Sequence, residues 1–338
     1  RFGRKKVIIP ALIIYGIGGL LSGLSVWLLG SKAFGLLLAG RIIQGIGAAG
    51  TAPVAMALCG DLFQGSQRSK ILGLMEASNG FGKVISPILG SALGLIIWYA
   101  VFLFFPIIMV PVVLALAFLV KEKDKNTQKQ SCQAYWQAVK QIFAKKSGLL
   151  LTSFLAGMST LLILFGVLFF LSEYLEKTYH LQGIPKGLAL AVPVLFLTIT
   201  SFLTGLGLKK QTKPLKWLVC SGLGIIALAM ALLGIFSHNT WLFFISISLA
   251  GVGAGLAMPC LNIIITSSCS AERRGMLTSL YGSVRFFGVA IGPPAFGLLW
   301  GMGRPAMFWS AAALGLAAAL LSLFFIKTDQ LASGSAAK

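Results

Sequence analysis

Ten runs of twenty or more predominantly apolar residues follow one another along this chain of 338, near 7–29, 35–58, 70–96, 98–120, 148–172, 187–208, 215–236, 241–266, 276–299 and 305–326. A helix needs about 20 such residues to cross roughly 30 Å of hydrocarbon. Lipid offers no partner to a backbone N–H or C=O, so a run of this kind crosses either as a helix or as a strand of a closed barrel. These runs are too long for barrel strands and do not alternate, which leaves an all-helical membrane bundle. Composition excludes a water-soluble globule independently. Such a globule carries about a quarter of its residues as charges, whereas here 11% are charged, 57% are hydrophobic and the mean hydropathy is +0.91.

The runs contain a repeat. Sliding the sequence by 206 positions lays Gly45, Gly47, Ala48, Pro53, Arg68, Leu74, Phe81, Gly82, Ile85 and Pro87 on Gly251, Gly253, Ala254, Pro259, Arg274, Leu280, Phe287, Gly288, Ile291 and Pro293. Glycines, prolines and arginines match as a set, in two apolar segments flanking a basic loop, so one structural unit is used twice. At the same offset Gly16 and Gly18 fall on Gly222 and Gly224. The second copy has two spans, 148–172 and 187–208, ahead of the one that begins near 215, and the first begins directly with its equivalent. Two helices are therefore expected before Arg1, giving ten spans of a twelve-span plan in two pseudo-symmetric halves. The expected domains are 1–120 (third to sixth helices), a cytoplasmic linker over 121–146, a six-helix half over 147–327 and a cytoplasmic tail over 328–338.

A net charge of +20 in a soluble protein points to nucleic acid. Here the charge follows the loops instead. If the chain weaves from inside outwards, 21 of the 28 basic residues fall in inner segments and four (Lys32, Lys177, Lys186 and Arg304) outside. Basic residues accumulate in cytoplasmic loops, so both ends of this sequence are expected in the cytoplasm of a cell with an inner membrane, and no nucleic-acid partner is implied. The five cysteines are scattered, with no disulfide or metal spacing. No cofactor is implied. Within the linker, Tyr135, Trp136, Val139, Ile142 and Phe143 recur at helical spacing beside Lys140, Lys145 and Lys146, which fits either a helix lying on the inner membrane surface or a solvated connector.

Three motifs carry a family resemblance. Arg1-Phe2-Gly3-Arg4-Lys5-Lys6 resembles the end of the loop signature of the major facilitator superfamily, Gly-x-Leu-Ala-Asp-Arg-x-Gly-Arg-Lys. Arg41-x-x-Gln44-Gly45-x-Gly47-Ala48-Ala49 is similar to the arginine motif of that family's fourth helix. Gly82-x-x-x-Ser86-Pro87-x-x-Gly90-Ser91 resembles the fifth-helix motif of its drug:proton antiporters, with Ser86 and Ser91 in place of two glycines. The resemblance implies a part in proton transfer for Arg41. It also implies a cytoplasmic charge cluster, holding Arg4 and Asp61, that latches the outward-open state.

Ionisable residues inside hydrocarbon cost at least about 2.5–3.5 kcal/mol each on insertion scales, so they are expected to face a polar interior and to work there. Glu76, Asn79, Lys83 and Ser86 are spaced by three and four and share a helix face. Glu76 is the acid clearly within a span. It reads either as the proton carrier or as a counter-charge to Arg68 or Lys70. Lys83 and Arg285 lie near the centres of repeat-related spans. They read either as an anion-attracting pair, with arginine able to grip a carboxylate or phosphate in two places, or as structural charges. Asn79, Lys83 and Arg285 are the expected substrate contacts. Pro53, Pro87, Pro259 and Pro293 interrupt spans at repeat-equivalent places, where proline frees carbonyls and bends helices. Phe81, Phe154, Phe286 and Phe287 fit lipid-facing or packing roles better than a drug pocket.

The expectation is a secondary transporter, monomeric in the bilayer, that moves a small molecule by alternating access about a midplane site. Resemblance to the drug:proton antiporters implies export of drug-like compounds driven by protons. The alternative is export of one anionic metabolite or chelator. A membrane-embedded enzyme would need a metal-spaced cluster or an activated nucleophile, and the sequence offers neither; a non-transporting remnant is the remaining reading.

Overall fold

The computed structural model describes residues 4–51, 54–55, 58–59, 62–63, 65–120, 132–208, 214–236, 239–268 and 271–327. Those residues fold into ten α-helices: α1 (Lys5–Leu29), α2 (Phe34–Ala49), α3 (Gly65–Ile96), α4 (Ala100–Leu119), α5 (Cys132–Tyr179), α6 (Gly183–Leu208), α7 (Leu215–Phe236), α8 (Thr240–Ser267), α9 (Ala271–Gly301) and α10 (Arg304–Phe325). Among the described residues, eight stretches are long and apolar enough to cross a membrane. The count falls short of ten for two reasons. Helices α1 and α2, joined by the 3-10 turn Gly30–Ala33, form one stretch, Lys5–Ala49, and α3 is not among the eight. Lys70, Glu76, Asn79 and Lys83 dilute the apolar content of α3.

Two compact units result, one of Arg1–Gln130 with Gln182–Gly187 and one of Ser131–Leu181 with Leu188–Lys338. In the first, α1 and α2 meet backbone to backbone. A Cβ added to Gly18 would lie 2.6 Å from the Gly40 carbonyl oxygen, and one on Gly47 would lie 2.6 Å from that of Ala11. Ser22, fully buried, donates to the Gly18 carbonyl at 2.9 Å and fills the remaining gap. Small residues allow this approach, which replaces the absent hydrophobic drive between helices in lipid with close packing. Lys5 Nζ donates to the carbonyls of Ala117 and Val120, both at 2.7 Å, and so caps the end of α4. A cation there answers the orphan carbonyls and the negative pole of the helix.

Helix α2 ends at Ala49 within the expected run to 58, and beyond the turn at Gly50 and Thr51 the described residues 54–55 and 58–59 are helical again. Gly50 N–H donates to the Gly47 carbonyl and Thr51 Oγ1 to that of Ala48, which closes the last turn. Pro53 lies outside the described residues. The other prolines of the set, Pro87, Pro259 and Pro293, lie inside α3, α8 and α9, which run on past them.

In the second unit, Gly222 of α7 and Gly253 of α8 face each other, each lacking the Cβ that would lie 2.6 and 2.5 Å from the other's carbonyl oxygen. Around this seam sit two apolar clusters. One centres on Phe170, whose ring lies 5.1 Å from that of Trp300 and 5.2 Å from that of Phe308. The other holds Phe154, Tyr281, Leu223 and Ile264. Helix α5 departs from helical geometry at Lys146 (φ −136°, ψ 34°). Before that break Phe143 sets its ring edge-on to Phe154 at 5.8 Å.

The two units repeat the same packing, with one correction to the sequence match. Gly47 rests on Ala11 and Tyr15, and its equivalent Gly253 rests on Gly222 and Ile226. Ala11, not Gly16, is therefore the counterpart of Gly222, five residues away from the position that the common offset assigns. Helix α4 and helix α10 agree: Gly16 lies against Met109, and Ala227 against Gly315.

Gly253→Val is expected to destabilise the protein by about 1–3 kcal/mol through overpacking. Gly224→Val is its control, since a Cβ there meets nothing within 4 Å. Thermal unfolding in detergent should show a drop for the first and little change for the second.

Candidate functional site

Helix α9 has two faces. Gly288 and Gly292 press onto α5, where a Cβ on Gly292 would lie 2.5 Å from the Leu162 carbonyl oxygen, and Tyr281 and Phe296 are each 1% exposed on the same side. Phe286 and Phe287 stand on the other side, 60% and 62% exposed. Arg285, one turn from Tyr281, lies at the border between them and is partly buried. Its guanidinium carbon sits 5.4 Å from the centroid of the Tyr281 ring and 5.4 Å from that of Phe286. Cation–π attraction strengthens as the cation loses water. The Arg285 Nε–H is fully buried and meets no acceptor among the described residues. A desolvated donor on a charged group is costly unless a partner arrives. An anion with two oxygens suits the Nε edge of a guanidinium, because the two parallel N–H bonds match it.

On the first unit, α3 is continuous from Glu76 through Ser86, so the four polar positions share one face. Asn79, Lys83 and Ser86 are exposed there, and Ser86 Oγ donates to the Lys83 carbonyl at 3.3 Å. The side chain of Glu76 lies outside the described residues. Arg41 is exposed on α2, where its Nη1 donates to Gln44 Oε1 and its guanidinium lies 5.5 Å from the Phe102 ring centroid on α4. Gln44 is 3% exposed, and its Nε2 meets no acceptor among the described residues. Sequence reasoning named Arg41, with Gln44 in the same motif but given no role, and passed over Phe102. The spacing of three between Arg41 and Gln44 was the available signal for their contact. Arg4 is half-buried at the start of α1, where its carbonyl accepts from Val7 and Ile8 N–H, and Asp61 lies outside the described residues.

Among the described residues no three or more His, Cys, Asp or Glu side chains gather as metal ligands would. His180, exposed at φ 51°, ends α5 outside any helix.

Comparison with known proteins fits this architecture. The family model of the Major Facilitator Superfamily matches residues 1–236 and 213–337. The bacillibactin exporter of Bacillus subtilis (strain 168) is 36% identical over 328 residues, covering 96% of this chain and 81% of that protein. The class B tetracycline resistance protein of Escherichia coli is 27% identical over 350 residues, covering 99% and 82%. In fold the chain is similar to a D-xylose–proton symporter, with a TM-score of 0.72 at 18% identity over 98% of this chain and 83% of that one. Two glycine-seamed helical units and a match that runs through both of them lead to one conclusion: this chain is a multi-pass membrane transporter of the Major Facilitator Superfamily, similar to its drug-efflux members.

Proposed function

We propose that this transporter exports a small organic anion by proton antiport, with bacillibactin the first candidate. The observation that carries the reading is Arg285, a partly buried guanidinium held between two rings, whose Nε–H meets no acceptor among the described residues. The 36% identity to a bacillibactin exporter supports the same choice. In this reading the substrate contacts are Arg285, which grips the anion, Asn79 and Lys83. Glu76 carries the proton, with Arg41 as its partner in transfer. Arg4 and Asp61 belong to the cytoplasmic gate, and Pro53, Pro87, Pro259 and Pro293 bend their helices. The ten helices are the third to twelfth of a twelve-helix plan with cytoplasmic ends, divided at 1–120, 121–146, 147–327 and 328–338, and the transporter works as a monomer in the cell membrane.

A second reading, export of neutral or cationic drugs, is favoured by the exposed rings of Phe286 and Phe287 and by the tetracycline resistance relative. The two separate in vesicles reconstituted with the protein under an imposed pH gradient. Saturable, gradient-driven movement of bacillibactin, with tetracycline moved weakly or not at all, is the expected result. Movement of tetracycline without bacillibactin would overturn the anion reading.

A further inference from the structure

The position of Arg285 is itself set from behind. Its guanidinium lies over the face of Tyr281, and that ring is enclosed at 1% exposure. On one side the ring meets Phe154 at 5.6 Å between centroids, tilted by 48°. On another it occupies the place where residue 157 has no side chain. A Cβ on Gly157 would lie 2.5 Å from Tyr281 Oη, 2.7 Å from Cε2 and 2.9 Å from Cζ. The rigid backbone of α5 leaves such a Cβ nowhere to go, so the ring would have to move. The Tyr281 hydroxyl finds no hydrogen-bond partner among the described residues. Shape therefore holds this ring where it is: Phe154 bounds it on one side and the missing side chain of Gly157 makes room for it on the other.

We infer that Gly157 and Tyr281 are positioning residues for Arg285: the missing side chain on α5 makes the slot, the ring fills it, and the ring face fixes the guanidinium at the height where it meets its anion. The inference rests on Arg285 as anion contact, deepens that reading, and assigns to two residues that touch no substrate a share of the transporter's selectivity. A ring face attracts a cation more strongly once both have lost water. Loosening it weakens anion binding and leaves the later steps of the cycle alone.

Two readouts test this in the purified full chain. In reconstituted vesicles, Tyr281→Leu and Gly157→Ala should each raise the KM for bacillibactin by about tenfold with maximal rate held within about twofold, the pattern of lost binding. Tyr281→Phe keeps the ring and should restore the wild-type KM. Independently of any substrate, phenylglyoxal labelling of Arg285, followed by peptide mass spectrometry, should accelerate several-fold in Tyr281→Leu and Gly157→Ala but not in Tyr281→Phe. Labelling of Arg41 and Arg304 should stay constant and so report intact folding. Equal labelling of Arg285 in all four proteins would overturn the positioning role. Wild-type protein that ignores bacillibactin, with labelling that still follows the ring, would overturn the anion reading and leave the positioning role standing. Acceleration at all three arginines together would mean that the ring supports the fold and not Arg285, which also overturns the proposal.

Discussion

Arg285→Leu is expected to abolish saturable export of an anionic substrate while the protein still folds and inserts. Leucine fills much of the same space against Tyr281 and removes the charge, so the packing of α9 on α5 through Gly288 and Gly292 is untouched. A hydrogen bond to a charged group contributes about 1.5–3 kcal/mol, which converts to a loss of affinity of roughly 10- to 150-fold, and two parallel bonds place the effect at the upper end. Equilibrium binding of bacillibactin by calorimetry reads it directly. Arg285→Lys keeps the charge but loses the fork and should recover part of the affinity. An unchanged affinity in the leucine variant would remove Arg285 from the binding site.

The second large effect belongs to Glu76→Gln. Glutamine keeps the size and hydrogen-bonding reach of the side chain and cannot release a proton. Substrate binding should survive, and gradient-driven accumulation should collapse to equilibrium. A gradient of about two pH units carries about 2.7 kcal/mol per proton exchanged, which sustains about 100-fold accumulation in one-for-one exchange. The variant should therefore lose about two orders of magnitude in accumulation and retain counterflow of labelled against unlabelled substrate. If it accumulates substrate as the wild type does, the coupling carboxylate lies elsewhere.

Helix positions were legible because the lipid requirement is so blunt: a run such as Thr240–Ser267 has no alternative to helix, and even Pro259 within it does not stop the helix. The interruption of the second span after α2 was less legible, since Gly50 and Thr51 close a turn in a way that hydropathy does not register. The repeat was correct through Gly47 and Gly253 and misled at Gly16. The seam asks for a small residue, which Ala11 satisfies as well as Gly222, so matching glycine to glycine chose the wrong register. Arg285 announced itself as a charge in hydrocarbon. Tyr281 did not, because an aromatic in a span reads as packing. Its spacing of four from Arg285 was visible, but the empty side-chain position at Gly157, on another helix, was not. Phe154, grouped in the sequence with Phe286 and Phe287, is 5% exposed and belongs to the core, whereas those two are exposed.

Where carbonyl oxygens lie directly on the Cα atoms of a neighbouring helix, no layer of side chains remains to act as a bearing. Helices joined by ordinary side chains slide by exchanging rotamers; α5 and α9, joined at Gly288 and Gly292, have no rotamers to exchange at those points. Sliding by even a fraction of a turn would drive Cα hydrogens and oxygens into one another, and weak C–H···O contacts add to the grip. Such a pair behaves as one plate. Arg285 is carried on that plate with Tyr281 and Gly157, so its backbone is expected to keep its place relative to α5 through the proposed transport cycle. In the proposed cycle the grip of Arg285 is therefore expected to keep its geometry on α5, and the exchange between faces of the membrane to fall to other elements.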